Sequence, residues 1–256
     1  MAELVAEWAA WQQWRGLAAR TINVRGQVVT RFAGHVAPRT VFDADEGDIL
    51  RFLAGNITPS TRAHYLSHLS CFYQWAIDRG YTDRNPTATI QRPKVPKGLP
   101  RPIAHDDAVR AVDCAGPRMR AWLLLALLAG LRCVEIARLA PGDVLDDQLR
   151  LAGKGGKVRY VPLHELVQDA LTAAPPPYGL SPGRISAKIG DYLEGLGLDD
   201  TAHAFRHAFA TKVYELSGFD LLLTSDLLGH ESVSTTQVYT RVVNQAARDA
   251  VGRLTL

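Results

Sequence analysis

The sequence predicts a mainly α protein with a small β-sheet, divided into two domains. Apolar residues recur at the three-and-four spacing of an amphipathic helix over much of the chain, most regularly over residues 60–80. Two short runs of β-prone residues flank a Gly-Lys turn within 148–163, which is typical of a hairpin. A proline-rich basic stretch at 91–102 interrupts both patterns and indicates a domain boundary.

The composition is that of a globular protein with a mildly basic charge. Of the 256 residues, 47% are hydrophobic and 21% are charged, which argues against a disordered chain. A formal net charge of +3 permits a polyanionic partner without requiring one. Cys71, Cys114 and Cys133 show no paired spacing, so neither a disulfide framework nor a zinc cluster is predicted.

The N-terminus carries acidic residues where a secretory signal would need basic ones. The longest apolar run, 121–131, is shorter than the ~20 residues that a membrane-spanning helix needs. We therefore expect a cytoplasmic protein that does not enter a membrane.

The first domain, residues 1–90, is predicted to be a small bundle of about four helices. Its most regular segment, 60–80, places seven apolar side chains on one face, and Gly80 is positioned to end the helix. Weaker versions of the same pattern run through residues 4–11, 28–36 and 49–53.

The linker, residues 91–103, contains four prolines and four basic residues but no acidic residue. This proline spacing favours an extended strap. A merely soluble linker would explain the prolines, but it does not need so many charges of one sign, whereas a strap that follows phosphates would use them. The basic residues are Arg92, Lys94, Lys97 and Arg101.

The second domain, residues 104–256, is predicted to be mixed α/β. A helix that begins near Pro117 carries the long apolar run, which indicates a buried core helix, and it ends within 129–144. The hairpin follows at 148–163. Further helices are predicted over 164–173, 182–196, 203–215 and 220–228, with a final helix after Val242.

Arg132 follows a Gly-Leu pair that interrupts the apolar helix, so a permanently charged side chain lies at the edge of the core. Glu135, three residues on, would lie on the same helical face and could hold the guanidinium group in place. A purely structural ion pair would give the same pattern.

A second group of polar side chains lies within 201–211. His203 and Arg206 are three residues apart, and His207 lies one helical turn beyond His203. Histidines at this spacing can bind zinc, but no Glu follows the first His and no third ligand stands out. We therefore expect neither a metal nor another cofactor.

The turn at 153–157 presents Lys154 and Lys157 at the tip of the hairpin. It is not a nucleotide-binding P-loop, because Leu151 stands where that motif begins with Gly, and Val158 follows the lysine. A solvated turn lysine is one interpretation. The other is an ammonium group that swings onto a ligand.

His230 and Tyr239 stand nine positions apart near the C-terminus, with small Ser and Thr residues between them. Arginines, a lysine, histidines and a tyrosine together suit a site that binds a phosphate and displaces an oxygen from it. A tyrosine hydroxyl, with an ordinary pKa near ~10, must lose its proton to attack, and the departing alkoxide must gain one.

Four segments of the sequence, in this order, resemble the motifs of the tyrosine recombinase family, which includes the phage integrases and Xer-like recombinases. They are 129-AGLRCVEIARL-139, 153-GKGGKVRYVPL-163, 203-HAFRHAFAT-211 and 227-LLGHESVSTTQVYTRV-242. The resemblance implies a SAM-like helical core-binding domain followed by a mixed α/β catalytic domain of the tyrosine recombinase fold. It also makes Arg62 and the four basic linker residues candidate DNA-binding residues.

The resemblance implies a role for each matching residue in the covalent step. Tyr239 would be the nucleophile, forming a link to a DNA 3′-phosphate and expelling a 5′-hydroxyl group. Lys154 would protonate the leaving 5′ oxygen, with Lys157 as a weaker candidate. His203 would assist proton removal from Tyr239.

The remaining roles concern the phosphate itself. Arg132 and Arg206 would bind its non-bridging oxygens, and His230 would donate a hydrogen bond to it. Glu135 and His207 would support these groups. Neither ATP nor a metal is needed, because the phosphotyrosyl link conserves the energy of the broken bond.

The implied function is site-specific recombination that integrates or excises a phage or other mobile element. Xer-like resolution of DNA dimers is an alternative, and a catalytically inactive DNA-binding regulator is another. The implied partners are double-stranded DNA core sites, three further copies of the chain and a directionality factor. The apolar stripe of the last helix would dock on a neighbouring copy or pack on its own domain. Because helices begin almost at Met1, we expect recognition of simple core sites.

Overall fold

Each of the two units of the chain has its own main hydrophobic core, and the second unit also holds a smaller apolar cluster that includes Phe209 and Leu228. The computed structural model describes residues 1–95, 100–153, 156–230 and 236. One core lies within the unit Met1–Pro96 and the other within the unit Lys97–Leu256, so the division falls inside the proline-rich stretch. Residues 91–95 and 100–104 have no regular secondary structure. Over the described ranges, no helix is long and apolar enough to cross a membrane.

The first unit is helical. It contains α1 (Ala2–Trp14), α2 (Ala19–Val36), a 3₁₀ turn (Val41–Asp43), α3 (Glu46–Leu53) and α4 (Pro59–Asp78). The predicted helix at 60–80 is confirmed as α4. The Thr58 side chain accepts a hydrogen bond from the backbone N–H of Thr61 at 3.2 Å, and Pro59 occupies the first turn. Gly80, with φ of +76°, follows the last helical residues in the left-handed conformation that a side chain disfavours.

Aromatic rings fill the centre of the first unit. Trp8 of α1 lies edge-on to Phe72 of α4, with ring centroids 5.3 Å apart, and Trp75 packs beside both. The buried Tyr73 hydroxyl donates a hydrogen bond of 2.6 Å to the carbonyl of Val41, which ties the 3₁₀ turn to α4. These contacts bury the apolar faces that the sequence pattern predicts.

The second unit combines helices with one hairpin. Its elements are α5 (His105–Asp113), α6 (Pro117–Leu128), α7 (Cys133–Arg138), a 3₁₀ turn (Pro141–Asp143), β1 (Gln148–Ala152), β2 (Val158–Pro162), α8 (Glu165–Ala173), α9 (Pro182–Gly195), α10 (Ala202–Leu216) and α11 (Leu221–Leu228). Strands β1 and β2 are antiparallel, in a register that pairs Gln148 with Pro162 and Ala152 with Val158. The predicted hairpin and the helices predicted over 164–173, 182–196, 203–215 and 220–228 are confirmed to within one residue at each end, and the mainly α fold class is confirmed.

The apolar run forms the central helix of the second unit, as predicted. Residues 121–126 of α6 are all buried, and α6 packs against both α8 and α10. The helix ends at Leu128, and a short turn separates it from α7. Gly130 lies in that turn with φ of +65°. Helix α5 was not predicted, and the predicted final helix after Val242 lies outside the described residues.

Candidate active site

The structure brings together six of the eight residues that were predicted to act in catalysis or to support it, around the break between α6 and α7. Arg132 and Glu135 lie at the start of α7, His203, Arg206 and His207 lie on α10, and His230 follows α11. Two predicted residues, Lys154 and Tyr239, lie outside the described residues. Lys157 is described and is exposed in the hairpin turn.

Glu135 is the carboxylate with which the arginines of the site pair. It is buried, with a relative exposure of 8%. Arg132 is the N-cap residue of α7, and its backbone N–H donates to Glu135 Oε2 at 2.7 Å while its Nη1 donates to Oε1 at 3.2 Å. The predicted pair of Arg132 and Glu135 is therefore confirmed. The prediction that both residues lie on one face of a helix was wrong. Arg132 lies outside the helix, and the pair forms because the third residue of a helix can reach back to the cap.

Arg206 is the most deeply buried cation of the site, with 1% exposure. Its guanidinium group donates to the backbone carbonyl of Gly130 and, at 2.7 Å, to that of Leu228. Its Nη1 also lies 3.6 Å from Glu135 Oε2. Arg206 thus ties α10 to the turn after α6 and to the end of α11.

Gly130 is required where it stands for two reasons. Its positive φ disfavours any residue with a side chain, and an added Cβ would lie 2.5 Å from the ring of Phe209. The close approach of α10 to this turn is what lets the Arg206 guanidinium group reach the Gly130 carbonyl.

Arg159 of β2 is a member of the site that the sequence analysis missed. Its side chain is 12% exposed, although the neighbouring Val158 and Tyr160 are exposed. Its Nη1 and Nη2 donate to the two oxygens of Glu135 at 2.7 and 3.1 Å, and its Nε donates to the Leu227 carbonyl at 3.0 Å. The alternation along β2 could have shown that Arg159 faces inward with Val161, but nothing in the sequence named its partner.

The three arginines keep Glu135 ionised. Burial on its own raises the pKa of this carboxyl group, but hydrogen bonding and charge from Arg159, the backbone bond from Arg132 and the charge of Arg206 outweigh burial and leave the pKa below its ordinary value. Three guanidinium groups therefore converge on one carboxylate, so positive charge exceeds negative charge within this set of four residues.

His203, His207 and His230 all lie close enough to Arg206 for its positive charge to act on them. The rings of His203 and His207 meet edge-on, with centroids 4.3 Å apart. Burial, followed by the charges of Arg206 and Arg132, lowers the pKa of His203 below its ordinary value. Burial and neighbouring cationic groups lower the pKa of His207 and of His230 to about 4. All three imidazoles are therefore neutral near pH 7 and can accept a proton or a hydrogen bond.

His230 is held in place on both sides. Its Nδ1 lies 2.8 Å from the hydroxyl of the buried Thr236, and its backbone N–H donates to the Ser225 carbonyl. Gly229 just before it has φ of +60°, and an added Cβ there would lie 2.7 Å from Arg159 Nη1. A side chain at position 229 would therefore both strain the backbone and displace the Arg159 guanidinium group.

The predicted residues for DNA binding lie apart from this cluster in the sequence. Arg92 donates to the Ser67 hydroxyl at 3.3 Å, and Lys94 and Arg101 are exposed. Arg62 is half-buried on α4, and within the described chain its Nε has no hydrogen-bond partner. Lys97 lies outside the described residues. No group of three or more metal-binding side chains occurs in the part that the structure describes.

Comparison with known proteins identifies the family. The tyrosine recombinase XerC of Roseiflexus castenholzii is 30% identical over 91% of this chain and 86% of its own length. The XerC of Rhodospirillum centenum is 33% identical over 94% of this chain and 83% of its own length. This chain belongs to the tyrosine recombinase family. Tyrosine recombinases are enzymes of DNA strand exchange, and the function of this recombinase is site-specific recombination, as the motifs predicted.

A family model agrees with the assignment, and two solved structures share the fold. The model of the phage integrase family matches residues 179–246 of the recombinase. Its fold is similar to that of a lambda integrase dimer bound to a COC′ core site, with a TM-score of 0.76 and 19% identity over 93% of this chain and 94% of that one. It is also similar to the XerH site-specific recombinase bound to a palindromic difH substrate, with a TM-score of 0.74 and 20% identity over 93% and 81% of the two chains. The predicted tyrosine recombinase fold is confirmed.

Proposed function

We propose that this recombinase binds double-stranded DNA core sites and exchanges strands through a covalent link between Tyr239 and a DNA 3′-phosphate. The observation that carries the proposal is the convergence of Arg132 and Arg206 on the buried Glu135, with His203 and His230 among the same cations. Forked, permanently charged donors held in fixed positions are what a phosphoryl-transfer transition state requires.

The two arginines bind the non-bridging oxygens of the scissile phosphate. The side chain of Arg132 is 36% exposed, so it can meet a phosphate from solvent, whereas Arg206 is fixed by the carbonyls of Gly130 and Leu228. Charge on the phosphate oxygens redistributes as the tyrosine attacks, and preorganised donors stabilise it without rearranging. His230, neutral and anchored beside Thr236, donates a further hydrogen bond to the phosphate.

Proton transfer falls to His203 and Lys154. Because its pKa is lowered, His203 is unprotonated at neutral pH and accepts the proton that Tyr239 loses. Lys154 supplies a proton to the departing 5′ oxygen, and His207 supports His203 through the contact of their rings. The roles of Lys154 and Tyr239 rest on the family motifs, since both lie outside the described residues.

The assembled enzyme is a homotetramer on two DNA duplexes in the cytoplasm, joined through the C-terminal segment. The lambda integrase is known as a dimer on a core site and as a tetramer on a Holliday junction, which supports this assembly. Arg62 and the basic linker residues contact DNA phosphates, and a directionality factor acts as an accessory partner.

Two biological roles use this chemistry. The motifs led us to integration or excision of a phage or other mobile element, and the match to the phage integrase model supports it. Xer-like resolution of DNA dimers is the second candidate, and the XerC relatives, at 30% and 33% identity over most of their length, favour it. The two roles differ in the DNA that is recombined.

A recombination assay tests the function and separates the roles. Purified protein is incubated with pairs of labelled duplexes in a chelator and without ATP, and recombinant products are counted. Each pair carries either two copies of a host chromosomal site or one element site and one host site. Exchange of the mixed pair alone supports an integrase, and exchange of the identical pair alone supports a Xer-like resolvase. Binding without exchange of either pair would favour the inactive regulator.

A further inference from the structure

Arg159 is a cation of the described site to which neither the motifs nor the proposed mechanism gives a role. Burying a guanidinium group is unfavourable unless hydrogen bonds and a counter-charge compensate it. For Arg159, a bidentate interaction with the Glu135 carboxylate and a hydrogen bond from Nε to the Leu227 carbonyl compensate the burial. A bidentate pair of this kind, called the Arg159 fork below, fixes the orientation of the two side chains as well as bringing their charges together.

The partner that Arg159 holds is shared with both candidate phosphate ligands. Glu135 Oε1 receives Arg159 at 2.7 Å and Arg132 at 3.2 Å, while Arg206 lies 3.6 Å from Oε2. The shortest of these side-chain contacts belongs to Arg159. Arg159 and the backbone N–H of Arg132, which reaches Oε2 at 2.7 Å, together fix the plane of the carboxylate, and the carboxylate in turn sets where the guanidinium groups of Arg132 and Arg206 lie.

Arg159 also joins separate elements. Its strand, β2, leads out of the hairpin turn that contains Lys154, and its Nε bonds the carbonyl of Leu227 near the end of α11. Arg206 bonds the next carbonyl, that of Leu228. Carbonyls at a helix C-terminus lack helical partners and attract cations, so the two arginines together fix the end of α11 just before His230.

We propose that Arg159 is a positioning residue for strand cleavage, which aligns Arg132, Arg206 and His230 on one phosphate by holding Glu135 and the end of α11. This inference rests on the proposed function. In this proposal Arg159 acts through its bonds to Glu135 and Leu227 and makes no contact with the phosphate.

The test compares Arg159→Gln and Arg159→Lys with Arg150→Gln as a matched control. Arg150 lies on the neighbouring strand of the same hairpin, and its guanidinium group pairs at 2.9 Å with Asp143 at the surface. The cleavage rate of DNA already bound to protein is measured in a single turnover on a nicked core site, together with duplex affinity and melting temperature. Counting only bound complexes removes unfolded protein from the rate.

For Arg159→Gln we expect cleavage to fall about a hundredfold, the loss that a small misplacement of reacting groups produces, with duplex affinity within about threefold of wild type. Arg159→Lys keeps the charge but not the fork, so it should recover part of the rate. Arg150→Gln should match wild type. Because Arg159 acts through Glu135, adding Arg159→Gln to Glu135→Gln should cost less than about threefold more.

Two results would overturn the inference. One is wild-type cleavage of bound DNA by Arg159→Gln, and the other is loss of folding and DNA binding together with cleavage in both Arg159 variants, which would make the residue purely structural. Failure of the proposed function looks different, because wild type would then form no covalent product that depends on Tyr239.

Discussion

Among single residues, Gly130 shows how a backbone position supports the site. Replacement by Ala would force a side chain into the left-handed region and place a Cβ 2.5 Å from the Phe209 ring. We expect Gly130→Ala to lower the free energy of unfolding by about 2–4 kcal/mol, combining strain with overpacking. Gly197→Ala is the control, because Gly197 has φ of +72° and open space around it, so it should lose only about 1 kcal/mol. Urea unfolding measures both, and equal losses would contradict the packing argument.

The buried histidines make stability depend on pH. In the unfolded chain an imidazole takes up a proton as pH falls below 6.5, whereas His207 and His230 in the folded protein remain neutral until about pH 4. The unfolded state therefore binds more protons between these values, so the stability that the neutral imidazoles contribute is lost as pH falls from 6.5 towards 4. Melting temperatures at half-unit steps should show this loss, with a smaller slope for His230→Asn than for wild type. An equal slope in the two proteins would refute the assignment of His230.

The residues of the site differ in how visible they are in the sequence. Arg132, His203 and Arg206 stand in recognisable segments, and the Arg132–Glu135 pair could be predicted from a spacing of three. Arg159 could not, because its partner Glu135 lies 24 positions away and comes near only in the folded protein. Pairings of this kind depend on tertiary packing, which local spacing does not determine.

Among helices and strands, the end of α11 is the element that positions His230. Gly229→Ala would strain a left-handed C-cap and push a Cβ to within 2.7 Å of Arg159 Nη1. We expect a stability loss of about 1–2 kcal/mol and a fall in cleavage of tenfold or more, because the Arg159 fork must shift. Gly218→Ala provides the control, since Gly218 follows α10 with φ of +69° and no neighbour within 4 Å. Similar cleavage by the two variants would contradict the claim.

Helices that are long or rich in large apolar residues could be predicted, and a short polar helix could not. Helix α6 buries six consecutive residues, and α4 carries large side chains on one face, so both stand out. Helix α5 has nine residues and buries only Ala108, Ala111 and Val112, among acidic and basic neighbours. Its apolar side chains do share one face, but they are few and small in a short and mostly polar segment, so little apolar content marks the helix in the sequence.

For the molecule as a whole, the two cores predict independent folding of the first unit. Every buried residue of its core lies between Trp8 and Ala76. A fragment of residues 1–96 should therefore be helical by circular dichroism and melt cooperatively, whereas residues 1–53, which lack α4 with Phe72 and Trp75, should not fold. A disordered 1–96 fragment would show that the first core depends on the second unit.

We expect covalent catalysis to depend above all on the hydroxyl group of Tyr239. The measurement to make first uses a nicked core site that traps cleaved DNA, incubated with wild type, Tyr239→Phe and the control Tyr160→Phe, whose ring is exposed on β2. We expect a covalent protein–DNA adduct on a denaturing gel for wild type and Tyr160→Phe, and none for Tyr239→Phe although it still binds the duplex. An adduct that persists in Tyr239→Phe, or wild type that binds the site and forms no adduct, would contradict the account.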